Sequence, residues 1–494
     1  MDYLDSMARE HTRVWDHFEF DYTDFIRTTE TRHHDLVQKV LQKCFDRGDI
    51  YEGEYEGMYC VGCEAFKKDE ELIELNGEKV CSDHLTVPDH IKEKNYFFRL
   101  SRYQTWIEEF YENNPDFVVP NFRYNEVKAF VERGLEDFSI SRETNTFGIP
   151  LPFDNSQVTY VWFDALFNYY TSCKYSPHPN PLPEGEGTSA KEKRFIDESD
   201  MWPANLHVVG KDIIRFHAIF WPAMLASYFD LGEEKDGVIH YRDSDKQKLP
   251  ESILAGGFFT VDGQKMSKSI GNVIEPVAYS EKYSPELLAL YMLSAFPIGN
   301  DGDYDREEAI KLYNAKLANN LGNLVNRVVV LSLKLDHGLG QGIQDFINMD
   351  WEEYDTYMKK TFPESYTIIT ESYNELNQID TAMQQYRLKD ALDIIFSLLS
   401  DLNKFADTET PWSLLKTDTS KAEIILYIIA RRLVMIGFHL YPFFPQKMSE
   451  MFGKFGLKDY GEKLEQGKLK ELQDEEIQFN ITEKGSPLFE RFDV

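Results

Sequence analysis

Apolar and polar positions divide the chain into a mixed first half and a helical second half. Leu36, Val37, Val40, Leu41 and Phe45 recur at helical spacing after Thr31-Arg32-His33-His34-Asp35 and stop at Gly48, which predicts an amphipathic helix closed by glycine. The adjacent His33 and His34 read as a surface feature, because neighbouring residues on a helix point apart. Ahead of them, residues 24–29 (DFIRTT) read as a short buried strand. Residues 51–95 alternate as short strands and turns, and two helical patterns follow near 101–111 and 125–133. Residues 137–142 (DFSISR) predict a strand delivering Arg142. Residues 159–163 (TYVWF) are strongly β-prone and pass into a helical 164–170. Leu206-His207-Val208-Val209 predicts a strand, Gly210-Lys211-Asp212 a turn, and 213–229 a helix with Pro222 as a kink. Strands feeding helices in this way predict a parallel α/β sheet, whose ligands gather at the carboxyl ends of its strands.

From about Pro285 the spacing turns helical, near 285–296, 306–336, 364–405 and 413–450. A helical half behind an α/β core predicts a separate bundle. Asn323 and Arg327 sit at i and i+4 on one face, and Trp412 follows Pro411 at a helix start. Such residues read and stack single-stranded bases. The plainer alternative is a core tryptophan and an ion-paired arginine. The tail, 454–494, is expected to pack back on the body.

Composition narrows the class. The chain has 494 residues, 42% hydrophobic and 28% charged, which fits a soluble enzyme of several domains. No run is long and apolar enough to cross a membrane, and no signal peptide is visible. Five cysteines, an odd number, fit a reducing cytoplasm better than a disulfide framework. A net charge of −32 weighs against nucleic acid as a partner, although a basic face can sit on an acidic body. Residues 176–188 (SPHPNPLPEGEGT) read as an exposed insertion without chemistry.

Candidate chemistry sits in three places. Residues 258–272 read FFTVDGQKMSKSIGN, with Lys265 and Lys268 flanking Met-Ser between Gly263 and Gly271. Two ammonium groups and two hydroxyls on a glycine-bounded loop suit a polyphosphate. Cys60-x-x-Cys63 and Cys81-x-x-His84 offer two hooks for a closed, structural zinc site. A redox dithiol is the rival, but it has no need of the second hook. Cys44 and Cys173 read as ordinary thiols. Gly210 and Asp212 suit a ribose, the glycine admitting the backbone and the carboxylate accepting a sugar hydroxyl, although Asp is also a common helix cap. A lone His217 inside the helix reads as core-facing, and Arg142 alone as a surface ion pair.

The stretches IRTT, YCVGC, ISRETNTFGIPLP, VWFDALFNYY, HVVGKDIIRFH, KMSKSIGN, NLVNR and ETPW occur in one order. Together they closely resemble the methionyl-tRNA synthetase family, over essentially the whole chain. The resemblance implies a Rossmann-type class I synthetase catalytic domain with a zinc-knuckle insertion and an all-α anticodon-binding bundle. It divides the chain into a remnant of the first Rossmann half (1–50), a connective insertion (51–150), the second Rossmann half (151–252), a KMSKS stem-contact region (253–305) and the anticodon domain (306–494). It assigns Trp162, Ala165, Tyr169, Ile213 and His217 to a methionine pocket, Gly210 and Asp212 to adenosine, and Lys265 and Lys268 to the phosphates of ATP taken with Mg2+. Arg142 falls at the carboxylate–phosphate centre, Cys60, Cys63, Cys81 and His84 on one structural zinc, and Asn323, Arg327 and Trp412 on the CAU anticodon. The implied reaction is methionine plus ATP plus tRNA-Met giving methionyl-tRNA, AMP and pyrophosphate.

The sequence also departs from the family. Members carry a first strand, a H-I-G-H-type motif and a T-D-E-H-G-like stretch, and this chain contains neither motif. The expectation is an N-terminally truncated Rossmann domain with exposed sheet edges, inactive or very weak by itself. A late start, a split gene and a decayed copy are equally compatible with that. Two rival readings are a non-catalytic tRNA-binding or zinc module and a sister class I synthetase. The 50–150 insertion is too short for the large editing domain of the isoleucine, leucine and valine enzymes. With no further module after the bundle, a cytoplasmic monomer is the default.

Overall fold

A computed structural model describes residues 2–60, 65–67, 69, 72–75, 77–82, 85–143, 147–174, 201–266, 271–474 and 477–493. The chain divides into two compact units, Asp21–Gly256 and Met1–Phe20 with Gly257–Val494.

In the first of these, helix Thr31–Asp46 buries Leu36, Val37, Val40, Leu41 and Cys44, as its spacing requires, and Gly48 closes it at φ 77°. Residues 24–29 form no strand. Arg32 instead gathers Asp24 at 2.9 Å and Glu30 at 2.6 Å, so ion pairs fix this approach to the helix where a ladder was expected. His33 is fully buried, contrary to its surface reading, and its Nδ1 meets Thr171 Oγ1 at 3.0 Å.

Strand Ile50–Cys60 pairs antiparallel with Asp89–Phe98 over ten positions, and Ala65–Lys67 and Phe138–Ser139 complete that sheet. A hairpin, Leu72–Leu75 with Glu78–Cys81, stands beside it in the chain. Helices Gln104–Asn113 and Asn121–Val131 follow.

The parallel sheet consists of Leu206–Gly210, Ser252–Gly256 and Val118–Val119, in that spatial order. The run at 159–163 does not join it. The strand there is Asp154–Thr159, antiparallel to Ser141–Arg142 and Pro150–Leu151, and a helix begins at Val161. Burial of Phe163, Leu166 and Phe167 at helical spacing overrides the β propensity of the aromatic run. Along Leu206–Gly210, His207 and Val209 face the core, and Val208 on the other face is 71% exposed. Among the described residues this strand lies at an edge of the sheet.

The predicted helix 213–229 is a single rod with a wide turn: Phe216–Phe220 is π-helical and Trp221–Phe229 α-helical, with Pro222 in its first turn. The wider turn receives the proline that has no N–H to give.

In the second unit, helix Asp2–His17 is tied to Pro276–Tyr283 by His17 and Ser280 at 2.7 Å. Strand Phe259–Val261 turns tightly at Asp262-Gly263, both at positive φ, and returns as Gln264–Lys265. Asp303 locks the turn, accepting from Gly263 N at 2.8 Å and Thr260 Oγ1 at 2.6 Å. The bundle runs through Arg306–Tyr313, a π-helical Asn314–Gly322 and Asn323–Ser332. The expected helix 364–405 is two, Tyr366–Gln384 and Leu388–Glu409, broken where Tyr386 takes φ 56°. The expected 413–450 is Thr419–Leu440 and Pro445–Lys454 after a single turn at Pro411–Leu414. Asp418 caps Lys421 N, and Pro445 restarts the chain. The tail folds back as expected, burying Leu488 and Phe489.

Candidate functional site

The neighbouring parallel strands Leu206–Gly210 and Ser252–Gly256 end together, Gly210 opposite Gly256, and the residues after Gly210 build the site. A Cβ on Gly210 would lie 2.6 Å from Asp212 Oδ1, so a side chain there would displace the carboxylate from its place over the turn. Asp212 itself is exposed and open to a ligand.

The π-helical segment then turns Phe216 and His217 toward helices Val161–Leu166 and Asn168–Lys174. Trp162 stacks on Phe216 with ring centroids 4.1 Å apart and planes 9° apart. His217 lies edge-on to Trp162 at 6.4 Å. Its Nδ1 donates to the Ile213 carbonyl at 3.0 Å, leaving Nε2 to accept the Tyr169 hydroxyl at 2.7 Å. Burial lowers the His217 pKa and raises that of Tyr169, so the pair is neutral. Trp162, Ala165, Tyr169 and Ile213 are all partly exposed around this buried imidazole. Of the five residues assigned to one pocket, Trp162, Tyr169, Ile213 and His217 come together in an uncharged, largely aromatic group, and Ala165 lies on the helix that carries Trp162.

Phe216, His207 and Asp164 went unassigned in the sequence. Phe216 and His207 stand in HVVGKDIIRFH, but nothing in the pattern ranked them above core aromatics. Asp164 is 5% exposed, its Oδ1 has no hydrogen-bond partner, and burial raises its pKa to about 8. Arg142 sits at the end of its strand and stacks over the Tyr160 ring at 4.2 Å. Its guanidinium also donates to Ser141 O at 2.7 Å and Ser139 Oγ at 3.0 Å. Among the described residues its partners include Ser139, Ser141 and the Tyr160 ring.

The lysine loop belongs to the other unit. Lys265 ends the return strand after the locked turn, and Lys268 lies outside the described residues. Of the zinc hooks, Cys60 ends its strand and Cys81 ends the hairpin, both buried. Leu85 N bonds back to Cys81 O and Cys81 N to Thr86 O. Cys63 and His84 lie outside the described residues, among which no group of three metal-ligating side chains occurs. Cys44 and Cys173 are buried thiols elsewhere.

In the bundle, Asn323 is exposed on helix Asn323–Ser332. One turn on, Arg327 pairs with Asp407 at 2.7 Å and lies over the Trp412 ring at 4.6 Å. Trp412 is 37% exposed. The arginine is ion-paired, as the plainer alternative had it, and the indole is exposed on the bundle rather than part of its core.

The family model of class I (M) tRNA synthetases matches residues 1–84 and 71–329. A methionine–tRNA ligase of Nostoc sp. is 35% identical over 92% of this chain and 78% of its own length. One of Caldanaerobacter subterraneus is 34% identical over 100% of this chain and 69% of its own. Of a Fusobacterium nucleatum methionine–tRNA ligase, 35% identical, the chain spans 64%. A Mycobacterium tuberculosis methionyl-tRNA synthetase bound by methionyl-adenylate has a similar fold, with a TM-score of 0.78 at 28% identity over 97% of this chain and 85% of that one.

Proposed function

The chain belongs to the class I methionyl-tRNA synthetase family, and from that membership we propose that it is a methionine–tRNA ligase. The observation that carries the reading is the uncharged aromatic pocket of Trp162, Tyr169 and His217 beside the Gly210–Asp212 turn. Methionine's thioether would lie against these rings, with Ala165 and Ile213 closing the sides. Adenosine would be met by the Gly210 backbone and the Asp212 carboxylate.

The methionine carboxylate attacks the α-phosphorus of Mg2+-bound ATP. A new P–O bond forms as the bond to pyrophosphate breaks, and the products are methionyl-adenylate and pyrophosphate. Arg142 supplies positive charge at the carboxylate–phosphate centre, and Lys265 and Lys268 meet the phosphates. A terminal ribose hydroxyl of tRNA-Met then attacks the adenylate carbonyl, AMP leaves, and the aminoacyl ester remains. Asn323, Arg327 and Trp412 would read the anticodon.

Cys60 and Cys81 are buried thiols at strand ends, and together with Cys63 and His84 they would make a tetrahedral donor set for zinc. Zinc there would pin the two hooks together and take no part in the reaction. The reading includes a monomer working in the cytoplasm.

Charging of tRNA tests the proposal. The chain is expected to attach methionine to a tRNA bearing CAU and to discriminate against the same tRNA with a changed anticodon. Equal charging of both, or a preference for another amino acid, would contradict it.

A further inference from the structure

Behind the pocket lies a second buried imidazole. His207, on strand Leu206–Gly210, is 3% exposed. Its Nε2 lies 3.2 Å from the indole nitrogen of Trp221, itself fully buried at the start of helix Trp221–Phe229. Indole N–H can only donate, so Nε2 is the acceptor and the His207 proton resides on Nδ1. The imidazole ring packs on Tyr169, centroids 4.2 Å apart, and edge-on to His217 at 5.9 Å. Tyr169 therefore has a different histidine on each side. His217 accepts its hydroxyl hydrogen bond, and His207 covers its ring.

These contacts form one chain: Trp221 orients His207, His207 carries Tyr169, and Tyr169 reaches His217. The two outer steps are hydrogen bonds with a fixed donor and acceptor, and the middle one is ring packing. Because His217 Nδ1 is committed to Ile213 O, the Tyr169 proton points to His217 and its oxygen keeps its lone pairs. Among the described residues the other titratable groups facing His207 are these same two, Tyr169 and His217, and neither is ionised near neutrality. Burial holds His207 itself far below its ordinary range, at about 3. Protonation would set two N–H groups against each other across the indole contact.

We infer that His207 is a positioning residue for amino-acid selection, holding Tyr169 in register with His217 through its hydrogen bond from Trp221. The inference rests on the reading of this pocket as the methionine pocket. It adds a residue that does not touch the substrate and acts through Tyr169. A cation at His207, or a lost acceptor there, would leave the buried Trp221 N–H unpaired and free the tyrosine wall.

Imidazole nitrogen NMR of the unmodified protein reads the tautomer directly. His207 is expected neutral, with Nδ1 protonated and Nε2 bare, from pH 6 to 8. A proton on Nε2, or titration within that window, would overturn the inference. Kinetics supply the second readout. His207→Phe keeps a ring but no acceptor, and is expected to raise the methionine KM about tenfold with the ATP KM unchanged. His207→Gln, whose amide oxygen can accept the indole proton, is expected to recover most of that loss. An unchanged methionine KM in H207F, or H207Q impaired as severely, would overturn the assignment. The tautomer spectrum needs no activity, so its failure counts against this inference alone. A parent chain silent in exchange with every amino acid counts against the ligase reading.

Discussion

At the scale of single residues, the site is marked by groups that burial has stripped of charge. Asp164 is the sharpest case. A free aspartate titrates near 3.8, and burial raises this one to about 8. Between those values folding takes up a proton, so the carboxyl withdraws stability as pH rises, by at most about 1.4 kcal/mol per pH unit. Asp164→Asn is expected to gain stability over the parent at pH 8 and to gain less at pH 5, measured by urea unfolding. An equal gain at both pH values would contradict this account. His33 and His207 act in the opposite sense. Burial lowers them to about 4 and about 3, so their contribution is present above pH 6.5 and is lost as pH falls. The parent is therefore expected to unfold at lower urea at pH 5 than at pH 7, and His33→Asn to flatten that limb. Residue types told much of this site in advance, because unusual letters in a fixed order carried the resemblance. They did not tell which histidines were buried. His33 read as a surface residue because the helix pattern could not see Thr171, which lies 138 positions away and receives its ring.

At the scale of elements, the helices were legible wherever one face alternated cleanly, as in Thr31–Asp46. Aromatic runs were not. Residues 159–163 favour a strand by propensity, yet Phe163 and Phe167 are both fully buried and need helical spacing to reach the core. The break at 385–387 was invisible too, because it depends on Tyr386 taking a left-handed backbone that no glycine announced. The zinc hooks are an element-scale proposal, joining the end of one strand to the end of a hairpin. Purified chain is expected to carry a single zinc ion by elemental analysis, and Cys60→Ser or Cys81→Ser to lose it. A metal-free parent with an intact fold would argue for plain buried thiols. The Arg327–Trp412 stack presents a platform in the bundle. Trp412→Ala is expected to weaken tRNA-Met binding by about 5- to 100-fold, the worth of one stacked base. Unchanged affinity would return Trp412 to a structural role.

At the scale of the whole molecule, the acidic balance of −32 argued against an RNA partner, while the family membership argues for one. A total charge describes the average surface, and recognition is local. The order of motifs along 494 residues was the stronger signal, because it specifies an architecture that a sum of charges cannot. The central claim is that this architecture activates methionine. Methionine-dependent ATP–pyrophosphate exchange tests it most directly. Methionine is expected to support faster exchange than leucine, isoleucine or valine. Exchange equal with all four, or fastest with one of the other three, would contradict the account.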